Sequence, residues 1–280
     1  SSTDVRLLLE VCIDSVDSAV AAVAGGADRL ELCGTLAAGG GVSPSLGLFR
    51  AVKKAVPQIS IMVMIRPRTG DFVYSSDELE VMTEDIRVFK GAGAAGVVFG
   101  ILTREGDIDV RRSTLLANEA QPLEICFHRA FDMTRDIQKA FEDARKIPHI
   151  SRVLTSGHEP KCTSPAALAN LSSLFRAMHE DEPQHQPHTL YRFNILPGSG
   201  VSPHTVRSVL LELLPLGLNQ IHMSGGRWVP GEAQYRKDGM GMGVGEGEWA
   251  VWRTNEEYVR EVVEIISATC REFVQQRTQG

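Results

Sequence analysis

Two short apolar runs each carry a carboxylate and a thiol two residues apart: Leu9-Glu10-Val11-Cys12 and Leu30-Glu31-Leu32-Cys33. Each is too short for a helix and reads as a strand, so Glu10 shares a face with Cys12, and Glu31 with Cys33. A carboxylate on a buried face costs free energy unless it is paired or used, which marks both glutamates. If the two strands are neighbours about 4.8 Å apart, equivalent positions bring the thiols of Cys12 and Cys33 side by side. Small apolar filling is the other role open to them. More polar residues stand where other apolar runs end: Arg66, His128 with Arg129 and Asp132, Thr155 and Ser156, Asn194, and His222 with Ser224.

Carboxylates and imidazoles so placed can move protons, and an arginine beside them can hold an anion. The candidate catalytic set is Glu10, Glu31, Arg66, His128 and His222. The alternative for the glutamates is a structural ion pair with Arg66 or Arg129, and for the histidines a core position satisfied by backbone carbonyls. Glycine-rich backbone follows two of the runs, in Pro197-Gly198-Ser199-Gly200 and Ser224-Gly225-Gly226. Glycine lets backbone N–H groups approach an anion closely, so Gly198, Gly200, Ser224 and Gly225 form a candidate anion site; tight turns are the alternative.

Bringing these residues together requires a regular frame, and one punctuation recurs. A strand over 7–13 leads through Asp14-Ser15, a helix N-cap signal, into a helix over 16–24 that Gly25-Gly26 stops. The unit of strand, polar loop, helix and Gly or Pro turn repeats to the C-terminus. Strands are expected near 30–33, 59–65, 96–102, 123–128, 152–155, 190–196 and 220–223, each followed by a helix. Eight such units require parallel strands, so the fold class is α/β and the architecture a (β/α)8 TIM barrel, with residues 1–280 as one barrel domain. A doubly wound open sheet is the runner-up. In such barrels the site lies at the C-terminal strand ends, where the polar residues above collect.

Two segments break the rhythm. The insertion near 179–189 is histidine-containing but acidic and Pro-interrupted, and reads as a solvated loop on the far face. The loop near 225–252 contains G-M-G-M-G-V-G-E-G, which lacks the strand–turn–helix context of a dinucleotide site and reads as a flexible lid over the mouth.

The formal net charge of -6 provides no basic field for a polyanion, which excludes nucleic acid as a partner. No apolar run approaches membrane-spanning length, and the N-terminus lacks the basic-then-apolar order of a secretory signal, so a cytoplasmic protein with no membrane partner is expected. Five cysteines, an odd number, suit reduced thiols rather than a disulfide framework.

Six stretches carry a resemblance. They are L-E-V-C-I-D-S at Leu9–Ser15, G-G-A-D-R-L-E-L-C at Gly25–Cys33, G-G-x-x-P-S at Gly40–Ser45, M-I-R-P-R-T-G-D-F-V-Y-S at Met64–Ser75, F-H-R-A-F-D at Phe127–Asp132 and R-V-L-T-S-G at Arg152–Gly157. In these the chain resembles the CutC family of copper homeostasis proteins. The resemblance implies a (β/α)8 barrel that is cytoplasmic, also nuclear in eukaryotic members, a homo-oligomer, linked to copper tolerance and binding Cu(I). The copper ligands it implies fall on Cys12 and Cys33, and thiolates favour so soft an ion. Met240 and Met242 could add thioether ligands. The chain departs from the animal pattern at Ile195–Gly200 and Ser224–Arg227, in the histidine-containing insertion and in the glycine-rich loop. Two thiols do not account for a mouth ringed by carboxylates, arginine and histidine. The alternative expectation is therefore a TIM-barrel enzyme, of lyase, aldolase-like or isomerase type, acting on a small anionic or sugar-like substrate.

Overall fold

A computed structural model describes residues 6–180 and 192–279. Strands and helices alternate along the chain: β1 (Leu8–Ile13), α1 (Val16–Ala24), β2 (Arg29–Leu32), α2 (Leu46–Ala55), β3 (Ser60–Met64), α3 (Ser76–Ala92), β4 (Gly96–Phe99) and α4 (Val110–Ala120). Then come β5 (Glu124–Phe127), α5 (Ile137–Lys146), β6 (Ile150–Thr155), α6 (Pro165–Glu180), β7 (Asn194–Pro197), α7 (Val206–Leu213) and β8 (Gln220–Met223). After a hairpin, α8 (Glu256–Gln279) ends the described chain.

The eight strands are parallel, in the order β7-β6-β5-β4-β3-β2-β1-β8. β7 and β8, at the two ends of that order, lie against each other and bring the sheet round into a nearly closed barrel. This is the expected (β/α)8 architecture and excludes the open sheet.

Local signals set the helix starts. The Ser15 hydroxyl accepts the Ser18 N–H at 3.1 Å, and Ser75 with Glu78 forms a reciprocal capping box at the start of α3. Each cap lies just beyond a strand or its loop, so the polar residues that start helices also border the barrel mouth.

The short strands are buried on both faces. Outward residues such as Val11, Leu30, Leu32, Val97, Phe99, Ile125 and Phe127 join the helices in the main core. Cys33, Met62, Met64, Val98, Cys126, Leu154 and Leu196 form a smaller apolar cluster of their own inside the barrel. The expected order along each strand, apolar first and polar last, gives way to alternation between outside and inside. Glu10 and Arg152 are buried within their strands and Arg29 at the start of its own, rather than at the C-terminal ends.

The 225–252 stretch is also corrected. Its two ends pair as an antiparallel hairpin, β9 (Gly226–Pro230) and β10 (Ala250–Thr254), with Trp228 directly opposite Trp252. The long insertion between them hides this pairing from local sequence reading. The Thr254 N–H binds the Ser18 hydroxyl of α1 at 3.0 Å and ties the hairpin to the barrel. In the histidine-containing insertion, His179 belongs to α6 and its Nε2 bonds the Leu216 carbonyl at 2.8 Å. Residues 181–189 of that insertion lie outside the described residues. Among the described residues no helix is long and apolar enough to cross a membrane.

Candidate functional site

Register decides which inward side chains meet. β1 pairs with β2 so that Glu10 is level with Arg29 and Cys12 with Glu31, and with β8 so that Glu10 is level with His222. The two glutamate–cysteine motifs are therefore staggered by two residues, as the shear of a barrel demands. This corrects the expected side-by-side thiols. Cys12 faces Glu31, while the Cys33 thiol lies 3.6 Å from Glu31 Oε1 and packs into the apolar interior.

Glu10 is fully paired. Its Oε2 accepts from Arg29 Nε, and its Oε1 is 2.7 Å from His222 Nδ1. Arg29 Nη2 in turn donates to Gln220 Oε1 at 2.9 Å. Burial alone would raise the Glu10 pKa, but the Arg29 guanidinium and the His222 hydrogen bond outweigh it and hold the carboxyl well below the usual range. Its bond to Nδ1 fixes the imidazole and leaves His222 Nε2 for other partners.

Cys12, Glu31 and His222 form a buried trio whose potential ligand atoms lie within 4.8 Å of one another. Burial pushes the Cys12 thiol up and the Glu31 carboxyl up to about 6, and Glu31 Oε2 has no hydrogen-bond partner. Burial opposes charge on His222, but Cys12, Glu31 and Glu10 beside it favour the imidazolium more strongly and raise its pKa. One thiol, one imidazole and one carboxylate are a donor set able to hold a transition-metal ion.

A cavity of about 940 Å³ opens over the trio, and Cys12, Glu31, Arg66, His128, His222, Gly200 and Ser224 all line it. Glu10, Cys33, Gly198 and Gly225 do not. The Gly198 N–H is engaged by the Thr155 carbonyl at 3.1 Å, and a Cβ on Gly198 would meet Leu154 at 2.7 Å and His222 at 3.1 Å. That glycine permits close packing against the His222 side chain.

Arg66 clamps two loops. It donates to the carbonyls of Gly39, Gly41 and Gly70, with its guanidinium 4.8 Å from the centre of the Phe72 ring and only Nε unpartnered. His128 Nδ1 accepts the Ala130 N–H at 3.1 Å, which makes the ring neutral with its proton on Nε2. Burial and nearby Arg66 push the His128 pKa down to about 3, and Nε2 has no partner.

Two other expected mouth residues have different roles. Asn194 begins β7 rather than ending it, and its Nδ2 bonds Asn219 Oδ1 at 2.9 Å, just before β8, at the opposite end of the barrel. Asp132 accepts from Thr155 Oγ1, the Ser156 N–H and Arg129, and so joins the loops that follow β5 and β6.

Sequence reading missed Arg29 and Gln220, although a signal existed: each stands two residues before an inward residue, Glu31 or His222, and so shares its face. It also missed the walls supplied by Phe72, Trp228 and Trp252. The two tryptophans are 5.5 Å apart, edge to face.

A model of the CutC family matches residues 7–227. The human protein named copper homeostasis protein cutC homolog is 41% identical over 237 residues, covering 85% of this chain and 80% of that one. The crystal structure of the putative copper homeostasis protein CutC from Streptococcus agalactiae superposes with a TM-score of 0.67 at 28% identity, covering 78% of this chain and 99% of that chain. Ribulose-1,5-bisphosphate carboxylase/oxygenase from Pyrococcus horikoshii OT3, at 13% identity and a TM-score of 0.61 over 96% of this chain and 61% of that one, shares the barrel fold alone. By the extent of the family match and the identity to its human relative, this chain belongs to the CutC family.

Proposed function

We propose that this protein binds Cu(I) as cargo at Cys12 and His222, with Glu31 completing the site. The observation that carries the reading is the buried trio of ligand atoms within 4.8 Å of one another. Copper is favoured over harder cations by the Cys12 thiolate and the His222 imidazole, and by the name of the human relative. Glu10 supports the site by holding His222 Nδ1. Cys33, on the far side of the Glu31 carboxylate, is left out of the ligand set. Binding displaces protons from Cys12 and His222, so affinity rises with pH.

Competition against a chromophoric Cu(I) chelator under reducing conditions tests this reading. Cys12→Ser is expected to weaken binding about 100-fold or more, and Glu10→Gln about 10-fold to 100-fold through misorientation of His222. Cys33→Ser is expected to change it by less than about threefold. A Cys12→Ser protein that holds copper as tightly as wild type would remove the site.

One observation favours a second reading, that of an enzyme. Glu31, pushed up to about 6 on the floor of a large cavity, can give and take a proton near neutral pH. In that reading Glu31→Gln abolishes turnover while ligand binding survives; turnover retained in that variant would discard it.

A further inference from the structure

Buried polar atoms are nearly always partnered in folded proteins, so the exceptions call for an explanation. Among the described residues nine buried side-chain polar atoms have no hydrogen-bond partner, and four belong to residues lining the cavity over the trio: Glu31 Oε2, Arg66 Nε, His128 Nε2 and Trp252 Nε1. They come from β2, the ends of β3 and β5, and the hairpin, so no single local distortion accounts for them.

Three of the four are donors. Arg66 Nε and Trp252 Nε1 can only donate. His128 Nε2 is also a donor, because Nδ1 is occupied as an acceptor by the Ala130 N–H. The single acceptor, Glu31 Oε2, belongs to the metal-ligand trio. The cationic side chains of Arg66, Arg104 and Arg129 line the cavity against the acidic ones of Glu31 and Asp71, and Phe72, Leu102, Met133, Leu154 and Trp228 add apolar wall. A volume of about 940 Å³ far exceeds what a metal ion fills and lies within the range of metabolite pockets, about 300–1,000 Å³.

We infer that the cavity above the trio binds a small organic oxyanion, a carboxylate or phosphate ester, whose oxygens accept from His128 Nε2, Arg66 Nε and Trp252 Nε1. The ligand's carbon body lies against Phe72, Leu102 and Leu154. The inference supplies a ligand class for the enzymatic reading without depending on turnover, and it goes beyond copper binding.

The test uses the full chain, labelled with ¹⁵N, titrated with malate, 2-oxoglutarate or 3-phosphoglycerate and, as neutral control, glucose. At least one acid should bind saturably, tighter than glucose, and move the Trp252 indole N–H resonance. Carboxylates binding tighter than the phosphate ester would assign the first source, and the reverse order the second. His128→Phe keeps the ring but removes the donor, and is expected to weaken binding about tenfold or more. Trp252→Phe, at the half-buried rim, repeats that test without disturbing the interior. Cys12→Ser should weaken copper binding about 100-fold or more while the acid still binds tighter than glucose, which separates this inference from the copper reading. It is overturned if no acid binds tighter than glucose, or if both His128→Phe and Trp252→Phe bind the acid as wild type does.

Discussion

β1, and β2 with the residue that follows it, carry the same glutamate–cysteine motif and put it to opposite uses. In β1 the glutamate is neutralised, with Arg29 on one oxygen and His222 on the other, while Cys12 reaches the cavity. In β2 the glutamate reaches the cavity with one oxygen unpartnered, and Cys33 is sealed behind it in apolar packing. The two-residue stagger between the strands causes the difference, since it sets Glu31 level with Cys12 and leaves Glu10 level with Arg29. The lesson is that identical local chemistry is either paired off inside the barrel or presented to the cavity according to which layer of the barrel it enters.

The largest effect that would break this comparison is on stability. Glu10→Gln leaves the Arg29 charge buried and uncompensated, and is expected to cost about 3–5 kcal/mol in urea unfolding. If Glu10→Gln unfolds no more easily than Glu31→Gln, the assignment of the structural role to Glu10 is wrong.

The next effect concerns the sealed thiol. A Cβ on Gly41 would lie 2.8 Å from Cys33 Cβ and 3.0 Å from its sulfur, on backbone at φ 90° that side chains rarely adopt. Gly41→Ala is expected to cost about 2–3 kcal/mol, from strain and the contact together. Combining it with Cys33→Ala should recover part of that loss; strict additivity in the double mutant would mean that Cys33 is not packed where the structure puts it.

The smallest effect separates the two glutamates by pH. Glu31 has a folded pKa of about 6 against an ordinary 4.5, so the folded state holds the extra proton between those values. Its contribution falls as pH rises from about 4.5 to 6 and is level above, a loss of about 2 kcal/mol. Glu10 has the opposite sign: its depressed pKa adds stability above 4.5 that is lost as pH falls into the acid range. Unfolding measured across pH 4.5 to 7 should therefore show Glu31→Gln gaining stability over wild type as pH rises. A constant difference between the two proteins over that range would remove the reason for calling Glu31 a proton-transfer group.

The sequence by itself determined the frame. Apolar runs separated by N-cap serines and aspartates and by glycine turns specify eight strand–helix units, and α1 and β8 fall where those signals put them. Period-two alternation also told which side chains share a face, which sufficed to pick out Glu31, Cys12, His128 and His222 as residues of one mouth. Alternation along a strand carries no information about its neighbour's register, because sliding by two residues preserves every inward face. Only the closed barrel, whose shear fixes that slide, decided that Cys12 meets Glu31 and His222 while Cys33 does not. The same holds for the tryptophan hairpin, whose strands are far apart in the chain and meet through pairing that no local pattern encodes. Tertiary structure also consumed most of the Arg66 donors on loop carbonyls, since a buried guanidinium must satisfy its N–H groups with whatever backbone folds around it.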